Sequence, residues 1–146
     1  MNDRQDTQHN CQDGQESPCR AQAKLWGTTE LLCADECVEL WRLTIRQGGY
    51  SSRHLHQSKS NGFLVVCGRL MVICYLDQTQ QRKVLDPAAG ICFVPAGVEH
   101  RFLALEEATT VYEIYYATPN AIIRQSDIVR RDGNGVFTGN AQDFPG

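Results

Sequence analysis

The chain has 146 residues, 42% of them hydrophobic, and a formal net charge of -3. That length supports one domain with a real core, and without a basic excess nothing favours a phosphate backbone, so nucleic acid is not expected as a partner. No run of eighteen apolar residues occurs, nor a basic segment followed by an apolar one, so the expectation is a protein with no membrane association and a cytoplasmic location.

The seven cysteines are odd in number and scattered at Cys11, Cys19, Cys33, Cys37, Cys67, Cys74 and Cys92, which does not resemble a disulfide framework. Cys33 and Cys37 have no second pair nearby, which makes a weak zinc spacing. Cys67, Cys74 and Cys92 fall in apolar runs, where a thiol serves as a small hydrophobe.

In chain order, residues 1–23 are rich in Gln, Asp, Asn and Ser, and they cannot bury enough surface to offset ordering, so a disordered tail is expected. The folded domain is expected over residues 24–130. CVELWRLTI places Cys37, Glu39, Trp41, Leu43 and Ile45 on one strand face, and Val38, Leu40, Arg42 and Thr44 on the other. After a turn at Gly48-Gly49, His54 and His56 share a strand face, because residues two apart point the same way. GFLVVCG and RLMVICYL read as strands joined by a hairpin or tight corner at Gly68-Arg69, and DQTQQRK as a polar loop or hairpin tip. Turns at Asp86-Pro87 and Pro95-Ala96-Gly97 flank the strand ICFV, His100 opens the strand HRFLAL, and TTVYEIYYA is strongly β-prone. AIIRQSDIVR reads as an extended arm or a helical turn, and residues 131–146, rich in Gly and Asn, as a flexible C-terminal tail. Roughly eight short strands with regular turn signals and no long helical periodicity predict an all-β sandwich or barrel.

The stretch GGYSSRHLHQSKSNGFLVVCG resembles the first motif of the cupin superfamily, G-x5-H-x-H-x4-E-x6-G, with Gly48, His54, His56, Asn61 and Gly68 at its positions. The second motif, G-x5-P-x-G-x2-H-x3-N, is matched by Pro95, Gly97 and His100, with Ala89 and Ala104 at its first and last positions. WG near Trp26, IRQGGYSS, FVPAGVEHR and SDIVR are similar to the cupin domain of type II mannose-6-phosphate isomerases, the C-terminal part of bifunctional mannose-1-phosphate guanylyltransferases. The resemblance runs from about Leu25 to Arg130. It implies a single cupin double-stranded β-helix, a jelly-roll-like barrel, holding a divalent metal on His54, His56 and His100, with Asn61 at the position of the usual carboxylate ligand. It also places Tyr116 at the acidic position of a late strand, three residues from Glu113 and on the other strand face.

Three neutral imidazoles suit zinc, iron, nickel or copper rather than magnesium or calcium, and zinc, iron or nickel is the expected ion. Three protein ligands leave a coordination position open, as in catalytic sites. Glu113 shares a face with Val111 and Tyr115 and is the carboxylate candidate for catalysis. Lys59, where the isomerases carry an arginine, is the second catalytic candidate and the best phosphate donor. Glu99, Arg42, Arg53, Arg69 and Arg101 are expected to be solvated, with Arg53 and Arg101 pointing away from the metal.

Three functions stay open. One is isomerisation of a sugar phosphate, the small-molecule partner that the resemblance implies; another is a metal- or carbohydrate-binding cupin without turnover. The third is a three-histidine Fe(II) dioxygenase. Unpaired sheet edges make a homodimer the expected assembly.

Overall fold

The computed structural model describes residues 21–124 and 126–146. Most of the expected N-terminal tail at 1–23 lies outside the described residues, but its end is a strand. The first strands are β1 (Ala21–Lys24), β2 (Gly27–Ala34), β3 (Val38–Ile45), β4 (Gly49–Tyr50), β5 (His54–Leu55) and β6 (Lys59–Cys67). They are followed by β7 (Leu70–Leu76), β8 (Thr79–Leu85), β9 (Cys92–Val94), β10 (Glu99–Ala104), β11 (Thr109–Ala117), β12 (Val129–Arg130) and β13 (Gly135–Val136).

These strands form two sheets in which every pairing is antiparallel. One runs β1-β2-β3-β11-β6-β9; the other runs β12-β5-β10-β4-β13, with β7 pairing β10 and β8. The apolar inner faces meet in a core that includes Trp26, Leu43, Ile45, Phe63, Val65, Leu70, Val72, Leu85, Val94, Phe102 and Val111. In β3, Glu39, Leu43 and Ile45 are buried while Val38, Arg42 and Thr44 are exposed, which is the alternation predicted for a half-buried strand.

The link at Gly68-Arg69 is a corner, not a hairpin: β6 pairs with β11 and β9, whereas β7 pairs with β8 and β10. Gly68 has φ +77°, and a Cβ there would stand 2.5 Å from Thr109 Oγ1, so the tight crossing between sheets requires glycine. DQTQQRK is mostly strand rather than loop. Only Asp77 and Gln78, with φ 44° and 68°, turn the chain, and left-handed conformation at both positions matches the twist of a two-residue hairpin.

The C-terminal residues 131–146, expected to fray, are docked. β13 pairs with β4, a short 3-10 helix covers Ala141–Asp143, and Phe144 is only 3% exposed. Phe144 packs on Met71, Ile73 and Leu103, the outward face of the second sheet, with Tyr50 and Phe137 beside it. Arg101 anchors this segment and is buried rather than solvated. Its guanidinium donates to the Ser51 carbonyl at 3.2 Å and to Asp132 Oδ1 at 3.2 Å, and it lies 5.2 Å from the ring centres of Tyr50 and Phe144.

Candidate metal centre

β5 and β10 bring His54 and His100 together as direct cross-strand partners, and His56 follows from the end of β5. The three ligating nitrogens available on these rings lie within 4.8 Å of one another, and all three residues are buried. Each ring is fixed from behind by a backbone carbonyl. Nδ1 of His54 donates to Ser52 O at 2.7 Å, Nδ1 of His56 to Asp127 O at 2.6 Å, and Nδ1 of His100 to Val98 O at 2.9 Å. A carbonyl can only accept, so each Nδ1 carries the proton and each Nε2 keeps a free lone pair.

All three Nε2 atoms are buried without any hydrogen-bond partner among the described residues. Leaving one such atom unsatisfied costs about 1–3 kcal/mol, so three aimed at one point form a cluster that needs an external partner. A divalent transition metal fits that need: three neutral nitrogen donors, oriented by carbonyls behind them, are what such an ion takes. The electrostatics agree. Burial, followed by the charges of its two neighbours His100 and His56, pushes His54 down to about 2, burial brings His56 to about 4, and burial also lowers His100. The site therefore stays unprotonated at neutral pH and competes poorly for protons against a metal.

Asn61 is 1% exposed and faces inward from β6, but its amide nitrogen donates to Glu113 Oε1 at 2.8 Å. The carboxylate of Glu113 does not join the histidine group, although it lines the same cavity, which has a volume of about 330 Å³. Burial raises the Glu113 carboxyl to about 7, against the hydrogen bonds from Tyr115 and Asn61. Lys59 also lines this cavity; its ammonium sits 3.9 Å from Glu39 Oε2 and 4.2 Å from the centre of the Tyr115 ring. Tyr115 packs edge-on to His56, linking the acidic wall to the histidines.

Glu99 and Arg53 stay outside this cavity, in an ion-pair group with Arg131. Arg69 pairs with Glu106 on the surface, and Arg42 pairs with Glu30. The sequence reading missed Glu39 as a member of the site. Its signal was present, since a carboxylate on the inward, apolar face of β3 is rare unless paired or used.

No protein-family model matches the sequence, and no curated protein matches it. Solved structures do. Oxalate decarboxylase from Bacillus subtilis superimposes with a TM-score of 0.66 at 12% identity, over 78% of this chain and 30% of the other. CapF, solved with the inhibitor 3-isopropenyl-tropolone, superimposes with a TM-score of 0.65 at 18% identity, over 77% of this chain and 34% of the other. The fold is the cupin double-stranded β-helix. The chain spans about a third of the length of these cupin-fold neighbours, so the likeness establishes the architecture. Together with the histidine cluster, it supports a metal-binding cupin.

Proposed function

We propose that His54, His56 and His100 hold one divalent transition metal, zinc, iron or nickel, and that the protein isomerises a small oxygenated substrate at that centre, a sugar phosphate in the first instance. The observation that carries this reading is the set of three Nε2 atoms without a partner among the described residues, on His54 and His56, which line the cavity that also contains Glu113, and on His100 beside them. When bound, the ion supplies Lewis-acid polarisation of a substrate oxygen.

The chain's own residues supply the proton transfer. A carboxyl raised to about 7 is divided between its acid and base forms at neutral pH, which suits a group that must both accept and return a proton. In an aldose-ketose exchange, Glu113 takes the proton from one carbon and returns it to the adjacent carbon, while the hydroxyl proton passes to the carbonyl oxygen. Asn61, donating to Oε1, fixes the carboxyl orientation. Lys24 and Arg130 line the same cavity and are the cations available to a phosphate group. The test is interconversion of mannose 6-phosphate and fructose 6-phosphate by metal-loaded protein. Turnover is expected; none, with the metal intact, would leave a metal- or carbohydrate-binding cupin.

A second reading is a three-histidine Fe(II) dioxygenase. It is favoured by one observation, that Asn61 stands at the position of the usual carboxylate and the histidine group includes no carboxylate among the described residues. Oxygen consumption with iron and small thiols separates it from the isomerase. We also propose a homodimer, since β1 and β9 end the six-stranded sheet; light scattering at the mass of a monomer would remove it.

A further inference from the structure

We propose that Glu39 and Lys59 form a hydroxyl-reading subsite, so that the cavity takes a polyhydroxylated, carbohydrate-like ligand gripped there through its hydroxyl groups and not through an anionic group. This deepens the function proposed above and rests on it for the metal side of the cavity.

Lys59 is only 5% exposed, yet its ammonium makes no hydrogen bond with any described residue; its ion pair with Glu39 is 3.9 Å long. That gap is wider than an N–H···O bond of about 2.7–3.2 Å. Glu39 is 7% exposed, and its Oε2 accepts from Trp41 Nε1 at 3.2 Å, which holds the carboxylate in place. Three strongly polar donors and a fixed acceptor thus face one cavity, close together and incompletely used.

The group that fits between them both accepts and donates. A hydroxyl accepts from Lys59 Nζ and donates to Glu39 Oε2, and a vicinal pair of hydroxyls divides the two roles. An ionised carboxylate or the dianion of a phosphate monoester only accepts, so it would meet the Glu39 carboxylate without a proton to offer. The pair is also neutral overall, which removes the net attraction that an anion site needs. Trp26 and Trp41 line the same cavity and offer apolar faces to the C–H groups of a sugar ring. Lys59 thereby takes a role different from the phosphate donor that its sequence position suggests.

Both tryptophans of the chain line this cavity, so intrinsic fluorescence reads its occupancy directly. The experiment titrates zinc-loaded full-length protein with D-mannose, mannose 6-phosphate and inorganic phosphate, and repeats the series with Glu39→Gln and with the double variant Glu39→Gln, Lys59→Met. The double variant removes both charges together, so the fold does not have to carry an unpaired buried ion. D-mannose and mannose 6-phosphate are expected to change the emission, whereas any response to inorganic phosphate, through Lys24 and Arg130, is expected to be the same in the parent protein and in Glu39→Gln. Glu39→Gln is expected to weaken D-mannose binding by about tenfold or more, and the double variant to lose it. A missing D-mannose response, unchanged affinity in the double variant, or inorganic phosphate binding that tightens in Glu39→Gln would each overturn the proposal. Zinc content measured on the same samples keeps the two readings apart, because loss of zinc sinks the metal centre, whereas loss of sugar binding alone sinks the subsite.

Discussion

The two walls of the cavity are built on different principles. On the histidine wall, every ring is held by a main-chain carbonyl, and its polar atoms are left over for an external partner. On the second wall, Glu39, Lys59, Glu113 and Tyr115 contact one another, with Asn61 bonded to Glu113, through side chains from β3, β6 and β11. The first wall is preorganised and neutral, ready for a metal. The second carries charged side chains with polar atoms not fully used, suited to gripping a substrate and moving protons. A protein with this division can lose function at either wall separately.

The largest expected effect comes from breaking the histidine wall. His56→Ala should lower metal affinity by at least about 100-fold, by analogy with the 10–100-fold cost of losing only an outer partner of a metal ligand; metal content after dialysis reads it. Next, Glu113→Gln should reduce isomerase turnover by about 100-fold or more, the typical contribution of a general base, while leaving metal content unchanged. Turnover of the variant at the parental rate would remove Glu113 from the mechanism.

The pH dependence of stability separates the walls without any substrate. In the metal-free protein, the lowered histidine values make stability fall as pH drops below about 6.5, where the unfolded chain binds protons that the folded one refuses. Glu113 acts in the opposite sense. Its raised value of about 7 contributes stability that is full below the ordinary carboxyl range and is lost as pH rises through about 7. Between about pH 4.5 and 6.5 the three histidines outweigh the one carboxyl, so stability should rise with pH. Glu113→Gln should steepen that rise by roughly 1.4 kcal/mol per pH unit, visible in urea unfolding; an unchanged slope would mean that Glu113 titrates normally.

Smaller effects lie outside the cavity. Phe144→Ala should cost about 3 kcal/mol of stability, as for a large buried aromatic, with metal affinity preserved. Arg69→Ala, which breaks a solvent-exposed pair with Glu106, should change stability by less than about 1 kcal/mol in thermal unfolding.

The histidine wall was legible in the sequence because its information is local. His54 and His56 are two apart on one strand, and His100 follows a turn that Pro95 and Gly97 announce. The inward face of β3 and the inward direction of Glu113 were legible for the same reason, through alternation. The second wall was not, because its contacts depend on register between strands distant in sequence. Tyr115 lies opposite Glu39 on one side and Asn61 on the other, which brings Glu113, two residues earlier, within reach of the Asn61 amide. The sequence therefore offered position 61 only as a weakened metal ligand, and did not show that its amide nitrogen also serves the carboxyl. The C-terminal segment misled through composition: its glycines and asparagines suggested fraying, but Phe137 and Phe144 supply the apolar surface that docks it.

If three imidazole Nε2 atoms hold a divalent ion beside an acidic wall, that ion's ligand shell is the feature to measure. X-ray absorption spectroscopy on protein purified without added metal addresses it most directly. One transition metal per chain with three nitrogen donors is expected, at about 2.0–2.1 Å if the ion is zinc. A sample that neither retains nor takes up a divalent ion, or one whose ion is surrounded by oxygen alone, would contradict it.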